Sequence, residues 1–228
     1  MKEKKKLILL GDSVFDNAVY LQSGQKSVTQ HLISKLESTE WQAHVHALDG
    51  VTTETIQPQY GKADINSDTP SNIILSVGGN DALQYIESLD KLNLETLYAI
   101  KEKFWKNYTT VVDALATSGH QIYVCTIYNP KFPDPLIQRK VEAGLSIFND
   151  VILTAANELW EDYQTGMPTL IPNKYVEGYI NNIIGAKYPL IDLRSVCYDD
   201  ECFANPIEPS EYGGDKITDE IINKVLDN

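Results

Sequence analysis

The chain has 228 residues, enough for one sizeable domain with a real core, and its 43% hydrophobic and 22% charged content is that of a folded globular protein. A net charge of -13 argues against nucleic acid or an anionic membrane as a partner, because both demand positive surface. The one basic cluster, Lys2 with Lys4, Lys5 and Lys6, precedes an apolar run too short for a cleavable signal or a membrane span, so a cytoplasmic protein is expected.

Lys6 to Leu10 reads as the first strand. An apolar run stopped by glycine marks a buried parallel strand, and Gly11-Asp12-Ser13 then forms the turn at its carboxyl end. A helix follows from about Ser27 to Glu37, with Val28, Leu32, Ile33 and Leu36 at helical spacing. Trp41 to Leu48 is the second strand. It ends in a turn containing Gly50, after which Thr52 or Thr53 is placed to cap a short helix over Glu54 to Tyr60. Residues 61–70 are polar and turn-rich, a surface loop. Asn72 to Val77 is the third strand and stops at Gly78-Gly79-Asn80-Asp81. A long helix from Leu94 to Ser118 is closed by Gly119, and the fourth strand runs from Gln121 to Ile127. Pro130, Pro133 and Pro135 read as a non-helical loop before a helix from Gln138 to Trp160. The stretch 161–187 is long for one crossover and reads as an insertion with structure of its own. Tyr188 to Leu193 is the fifth strand, and Asp215 to Asp227 the last helix.

Five strands alternating with helices predict an α/β fold, a doubly wound parallel sheet covered on both faces, in one domain spanning 1–228. No glycine loop is followed by Gly-Lys-Ser/Thr, and the Gly-Gly-Asn-Asp turn lacks the third glycine of a dinucleotide fingerprint. No cofactor is expected. Cys125, Cys197 and Cys202 have neither disulfide-framework nor zinc-ligand spacing and read as free thiols.

Three successive strands end in turns that carry Ser13, Gly50 and Asn80. Taken singly, these are an N-cap, a positive-φ turn residue and an Asx turn. In a parallel sheet, however, all strand carboxyl ends lie along one edge, so the three converge. A serine hydroxyl there can attack a carbonyl, while a glycine N–H and an asparagine amide hold the oxyanion that forms.

Gly11-Asp12-Ser13, Gly50 and Gly78-Gly79-Asn80-Asp81, in this order, resemble the SGNH or GDSL-type hydrolases, a family of serine esterases, lipases, thioesterases and carbohydrate deacetylases. The resemblance covers nearly the whole chain. It implies a three-layer α/β/α, flavodoxin-like five-stranded parallel sheet and a small ester or acyl substrate. It also implies Ser13 as nucleophile, its own N–H beside Gly50 and Asn80 in an oxyanion hole, and Asp12 and Asn17 as supports. The family's closing block carries an Asp and a His-Pro; here the matching stretch is Asn205-Pro206-Ile207-Glu208-Pro209. Glu208 stands where the general base belongs and Asn205 where its orienting carboxylate belongs. Asn205 is expected to donate an N–H to the Glu208 carboxylate, where a second carboxylate would repel it. None of His31, His44, His46 and His120 is placed to substitute for the missing base. The second reading is a catalytically weak or inactive protein of this fold that binds a small polar or carbohydrate ligand.

Overall fold

The computed structural model describes residues 4–63, 65, 71–117, 119–157 and 187–226. Its centre is a parallel sheet of β1 (Lys5–Gly11), β2 (Trp41–Val45), β3 (Asn72–Ser76), β4 (Gln121–Cys125) and β5 (Leu190–Ile191), in the order β2-β1-β3-β4-β5. Every pairing is parallel, with Leu9 opposite Val45 on one side and Ile74 on the other. This is the flavodoxin-like order, and the strand sequence reverses direction between β1 and β3. Ligand crevices open at the carboxyl ends of the strands flanking such a reversal. The fold therefore singles out the turns after β1 and β3.

Alternation along the strands divides the core in two. Ile8, Leu10, Ile73, Leu75 and Val124 face the layer built by α4 (Leu94–Ala116) and α5 (Pro135–Ala156). Leu7, Leu9, Ile74 and Cys125 face the layer built by α1 (Val28–Leu36) and α7 (Glu211–Leu226). Among the described residues the smaller helices are α2 (Pro58–Ala63), α3 (Gly79–Leu83) and α6 (Leu193–Val196), and 3-10 turns lie at Ala18–Tyr20, Ile86–Lys91 and Asp200–Cys202. No helix among the described residues is long and apolar enough to cross a membrane.

Several boundaries differ from the sequence expectation, each for a local reason. Pro135 is not in a loop: it occupies the first turn of α5, where a missing N–H is harmless, and Asp134 caps the helix by accepting from Leu136 N and Ile137 N. The last helix starts at Glu211, four residues early, and takes Gly213 and Gly214 into its first turn. A Cβ on Gly213 would lie 2.1 Å from the Cys202 carbonyl oxygen, so these glycines serve close packing. The short second helix lies over Pro58–Ala63 and is capped by neither threonine; Thr52 N donates to Thr55 Oγ1, and Thr53 bonds Asp81. β5 keeps two paired residues, because Asp192 turns the chain into α6 as its N-cap. The expected insertion, Lys187 apart, lies outside the described residues.

Candidate active site

The turn after β1 is set by Gly11. Its φ is +136°, and a Cβ there would sit 1.8 Å from the Ser76 carbonyl oxygen, so only glycine lets β1 pass β3 this closely. Its backbone is held by Gln59, which donates from Nε2 to Gly11 O (2.7 Å) and accepts from Gly11 N (2.8 Å). Nothing in the sequence around Gln59 announces that role; a buried polar side chain on a short helix is visible only in three dimensions. Asp12 closes the turn by accepting from Val14 N, and its carbonyl accepts from Phe15 N and Asp16 N. Ser13 is thereby presented at the head of the crevice, 8% exposed.

Glu208 meets it there. Ser13 Oγ donates to Glu208 Oε1 at 3.0 Å across 195 residues of chain. The loop that carries Glu208 is tied down from several directions. Asn17, fully buried, donates from Nδ2 to Pro209 O and accepts from Val28 N, joining the Ser13 loop, α1 and the Glu208 loop. Tyr128 donates its hydroxyl to Ile207 O, Lys131 N donates to Pro206 O, and Ala204 N donates to Glu208 O. Asn205 acts differently from the expectation. Its Oδ1 accepts from Ile207 N and Glu208 N, forming a turn that positions Glu208 through the backbone. It does not reach the carboxylate, whose Oε2 is buried without a hydrogen-bond partner among the described residues.

Two carboxyl groups here are strongly perturbed. Burial raises Glu208 to about 7, against the Ser13 hydrogen bond, and the Asp49 charge adds to the rise. Burial raises Asp12 to about 8; the Val14 N–H opposes this, while the charges of Glu208 and Asp81 reinforce it. Near neutrality Glu208 is partly ionised and Asp12 remains protonated.

The turns after β2 and β3 are joined to each other. Asn80, in the first turn of α3, donates from Nδ2 to Val51 O at 3.1 Å, and Asp81 accepts from Thr53 N and Oγ1. This fixes the Gly50 loop against α3. Gly50 has φ +79° and is exposed. The N–H groups of Ser13 and Gly50 make no hydrogen bond among the described residues, and Asn80 Nδ2 retains a second hydrogen beyond the one given to Val51. Those are three donors at the carboxyl edge of the sheet.

The histidines are elsewhere. His31 pairs with Asp215 at 3.1 Å, and His120 accepts from Ser71 N at the opposite end of the sheet. His44 lies in β2 and His46 directly follows it, both with pKa lowered by burial. None of the four lines the cavity described next.

That cavity begins at Asp12, Ser13, Gly79 and Asn80. It runs between α4 and α5 to Ile100 and Phe148, which belong to the core. Among the described residues no cluster of His, Cys, Asp and Glu is arranged to hold a metal ion, and the three cysteines are free thiols.

No family model and no curated protein matches the sequence. Solved structures do match. A lipase from a goat rumen metagenome is 17% identical with a TM-score of 0.68, covering 97% of this chain and 98% of that one. A member of the lipolytic G-D-S-L family from Veillonella parvula is 13% identical with a TM-score of 0.60, over 97% and 98%. The aryl esterase of M. smegmatis is 15% identical with a TM-score of 0.59, over 98% and 99%. The chain shares the α/β fold of these proteins.

Proposed function

We propose that the chain is a serine ester hydrolase of the SGNH/GDSL type in which a glutamate replaces the usual histidine base. The observation that carries this reading is the 3.0 Å hydrogen bond from Ser13 Oγ to Glu208 Oε1 at the reversal point of the sheet. As Ser13 Oγ attacks an ester carbonyl, its proton passes to Glu208, and the resulting glutamic acid protonates the departing alkoxide. Water then enters, loses a proton to Glu208 and attacks the acyl carbon, and Glu208 returns that proton to Ser13 Oγ as the carboxylic acid leaves. The Ser13 and Gly50 N–H groups with Asn80 Nδ2 stabilise the oxyanion in both halves, each donor contributing about 3 kcal/mol.

An unperturbed glutamate is about 2 pKa units below histidine and so starts about 3 kcal/mol weaker as a base. The rise from 4.5 to about 7 removes that deficit. Asp12 and Asn205 act as supports, the first in the nucleophile turn and the second in the base turn. The shared fold with lipases and esterases adds to the case.

The test is labelling with a fluorophosphonate probe and location of the adduct by mass spectrometry. Ser13 is expected to carry the label in the native chain, and Glu208→Gln to label far more slowly. An unlabelled Ser13, with no turnover on a broad ester panel, overturns the reading.

A further inference from the structure

We infer that this protein hydrolyses esters of medium-chain, apolar acyl groups with uncharged alcohols, and that it discriminates against both acetyl esters and acyl thioesters of anionic carriers. The inference rests on the hydrolase reading above and adds to it the substrate class.

The two sides of Ser13 differ in chemistry. On the Asn80 side the cavity is walled by apolar side chains, among them Leu92, Leu97, Ile100, Leu145 and Phe148. Its far wall is core: Ile100 and Phe148 are 7% and 4% exposed. From Ser13 the lining runs past α3 to Ile100 in α4 and Phe148 in α5, so an acetyl group on Ser13 would leave the far wall untouched. Its polar side chains, among them Ser13, Ser76, Asn80 and Tyr85, are few against its apolar ones, so a sugar ring held there would lose more hydrogen bonds to water than it regained. An alkyl chain meets no such penalty and gains on every methylene buried.

The other side of Ser13 is acidic. Tyr20 donates to Asp49, Asp49 N donates to Asp16, and Asp49 lies close enough to Glu208 to reinforce its raised pKa. None of these residues lines the apolar cavity. Glu208 must protonate the leaving group, so the leaving group departs on this side. Negative charge at Asp16, Asp49 and Glu208, on a chain of net charge -13, repels a phosphate-bearing leaving group and accepts a neutral one.

The experiment is a series of 4-nitrophenyl esters from acetate to dodecanoate on the native chain, followed by 1-octanoylglycerol against octanoyl-coenzyme A. kcat/KM should rise two- to fourfold per added methylene up to about eight carbons, and the glycerol ester should exceed the coenzyme A thioester at least tenfold. Ala82→Phe, which places a ring in the cavity, should lower the octanoyl-to-acetyl ratio at least tenfold. An acetyl ester hydrolysed as well as the octanoyl ester, or a preferred coenzyme A thioester, overturns the inference. If no ester is turned over, the hydrolase reading is what has failed, and the cavity is tested by calorimetry with 2-decanone, a carbonyl bearing an octyl chain. Binding at least 100-fold tighter than acetone supports an alkyl-chain site; equal or absent binding refutes it.

Discussion

Under the proposed mechanism, a buried carboxylate in the place of an imidazole base makes a quantitative prediction about pH. Glu208 acts as base only when ionised, so kcat/KM should climb tenfold per pH unit below about 7 and level off above it. At pH 5 about 1% of the native rate remains. Asp12, raised to about 8, is neutral over most of this range. Its ionisation places a second negative charge beside the developing oxyanion, so the rate should fall again above about 8, giving a narrow bell whose limbs belong to the interacting pair. Glu208→Gln keeps the shape and a hydrogen-bond partner for Ser13 but removes the proton acceptor. General base catalysis contributes typically 10²–10⁴-fold, about 3–5 kcal/mol of barrier, and that is the expected loss in kcat. The assay is stopped-flow acylation of Ser13 by an activated ester from pH 4.5 to 9.5, for both proteins. Two results refute the mechanism: a Glu208→Gln rate within tenfold of native, or an acid limb near 7 that survives the substitution.

Asp12→Asn keeps the acceptor for Val14 N and removes the buried acid. A carboxyl group with its folded-state pKa raised above the unfolded value contributes stability that is complete below about 4 and lost as pH rises to about 8. The variant should therefore match the native chain near pH 4 and exceed it by on the order of 4 kcal/mol at pH 7 in urea titrations, with the alkaline limb of the rate profile gone. Asn17→Ala strands the Pro209 carbonyl and the Val28 N–H in a fully buried site, and should cost about 2–4 kcal/mol in chemical denaturation while lowering kcat more than it alters KM. Gly11→Ala puts a methyl into the Ser76 carbonyl at a left-handed φ; a loss of at least about 3 kcal/mol, or no soluble protein, is expected by circular dichroism melting.

Much of this fold is written locally. Strands β1, β3 and β4 are short apolar runs ended within a few residues by glycine, asparagine or proline, and their alternation matches the two cores. That Ser13, Gly50 and Asn80 lie along one edge of the sheet is legible because each follows a strand, and parallel strands share an edge. What escaped was non-local. Pro135 looks like a helix breaker until Asp134 is seen capping the turn it begins. Gly213 and Gly214 look like a linker until Cys202 and Val28 are seen pressing against them. Gln59 clamps Gly11 from 48 residues away, and the far wall of the cavity comes from α4 and α5, distant in sequence from the Ser13 motif.

Asn205 shows what a carboxylate base requires of its surroundings. A hydrogen bond donated by its side chain to Glu208 would orient the carboxylate but hold its pKa down, opposing the basicity that catalysis needs. The structure separates the two tasks. Asn205 orients Glu208 through the backbone, by accepting from Ile207 N and Glu208 N. Asn17 and Tyr128 brace the same loop through the Pro209 and Ile207 carbonyls. The carboxylate is then free to have one partner, Ser13, and a buried Oε2 with none among the described residues. That unsatisfied oxygen destabilises the ionised form, and under the proposed mechanism proton transfer from Ser13 would relieve it, with the rigid loop holding the base in place. Asn205→Asp tests the separation: a charge at this position should raise Glu208 further and move the acid limb of the rate profile upward. An unmoved limb would place the Asn205 side chain too far from the carboxylate to matter electrostatically.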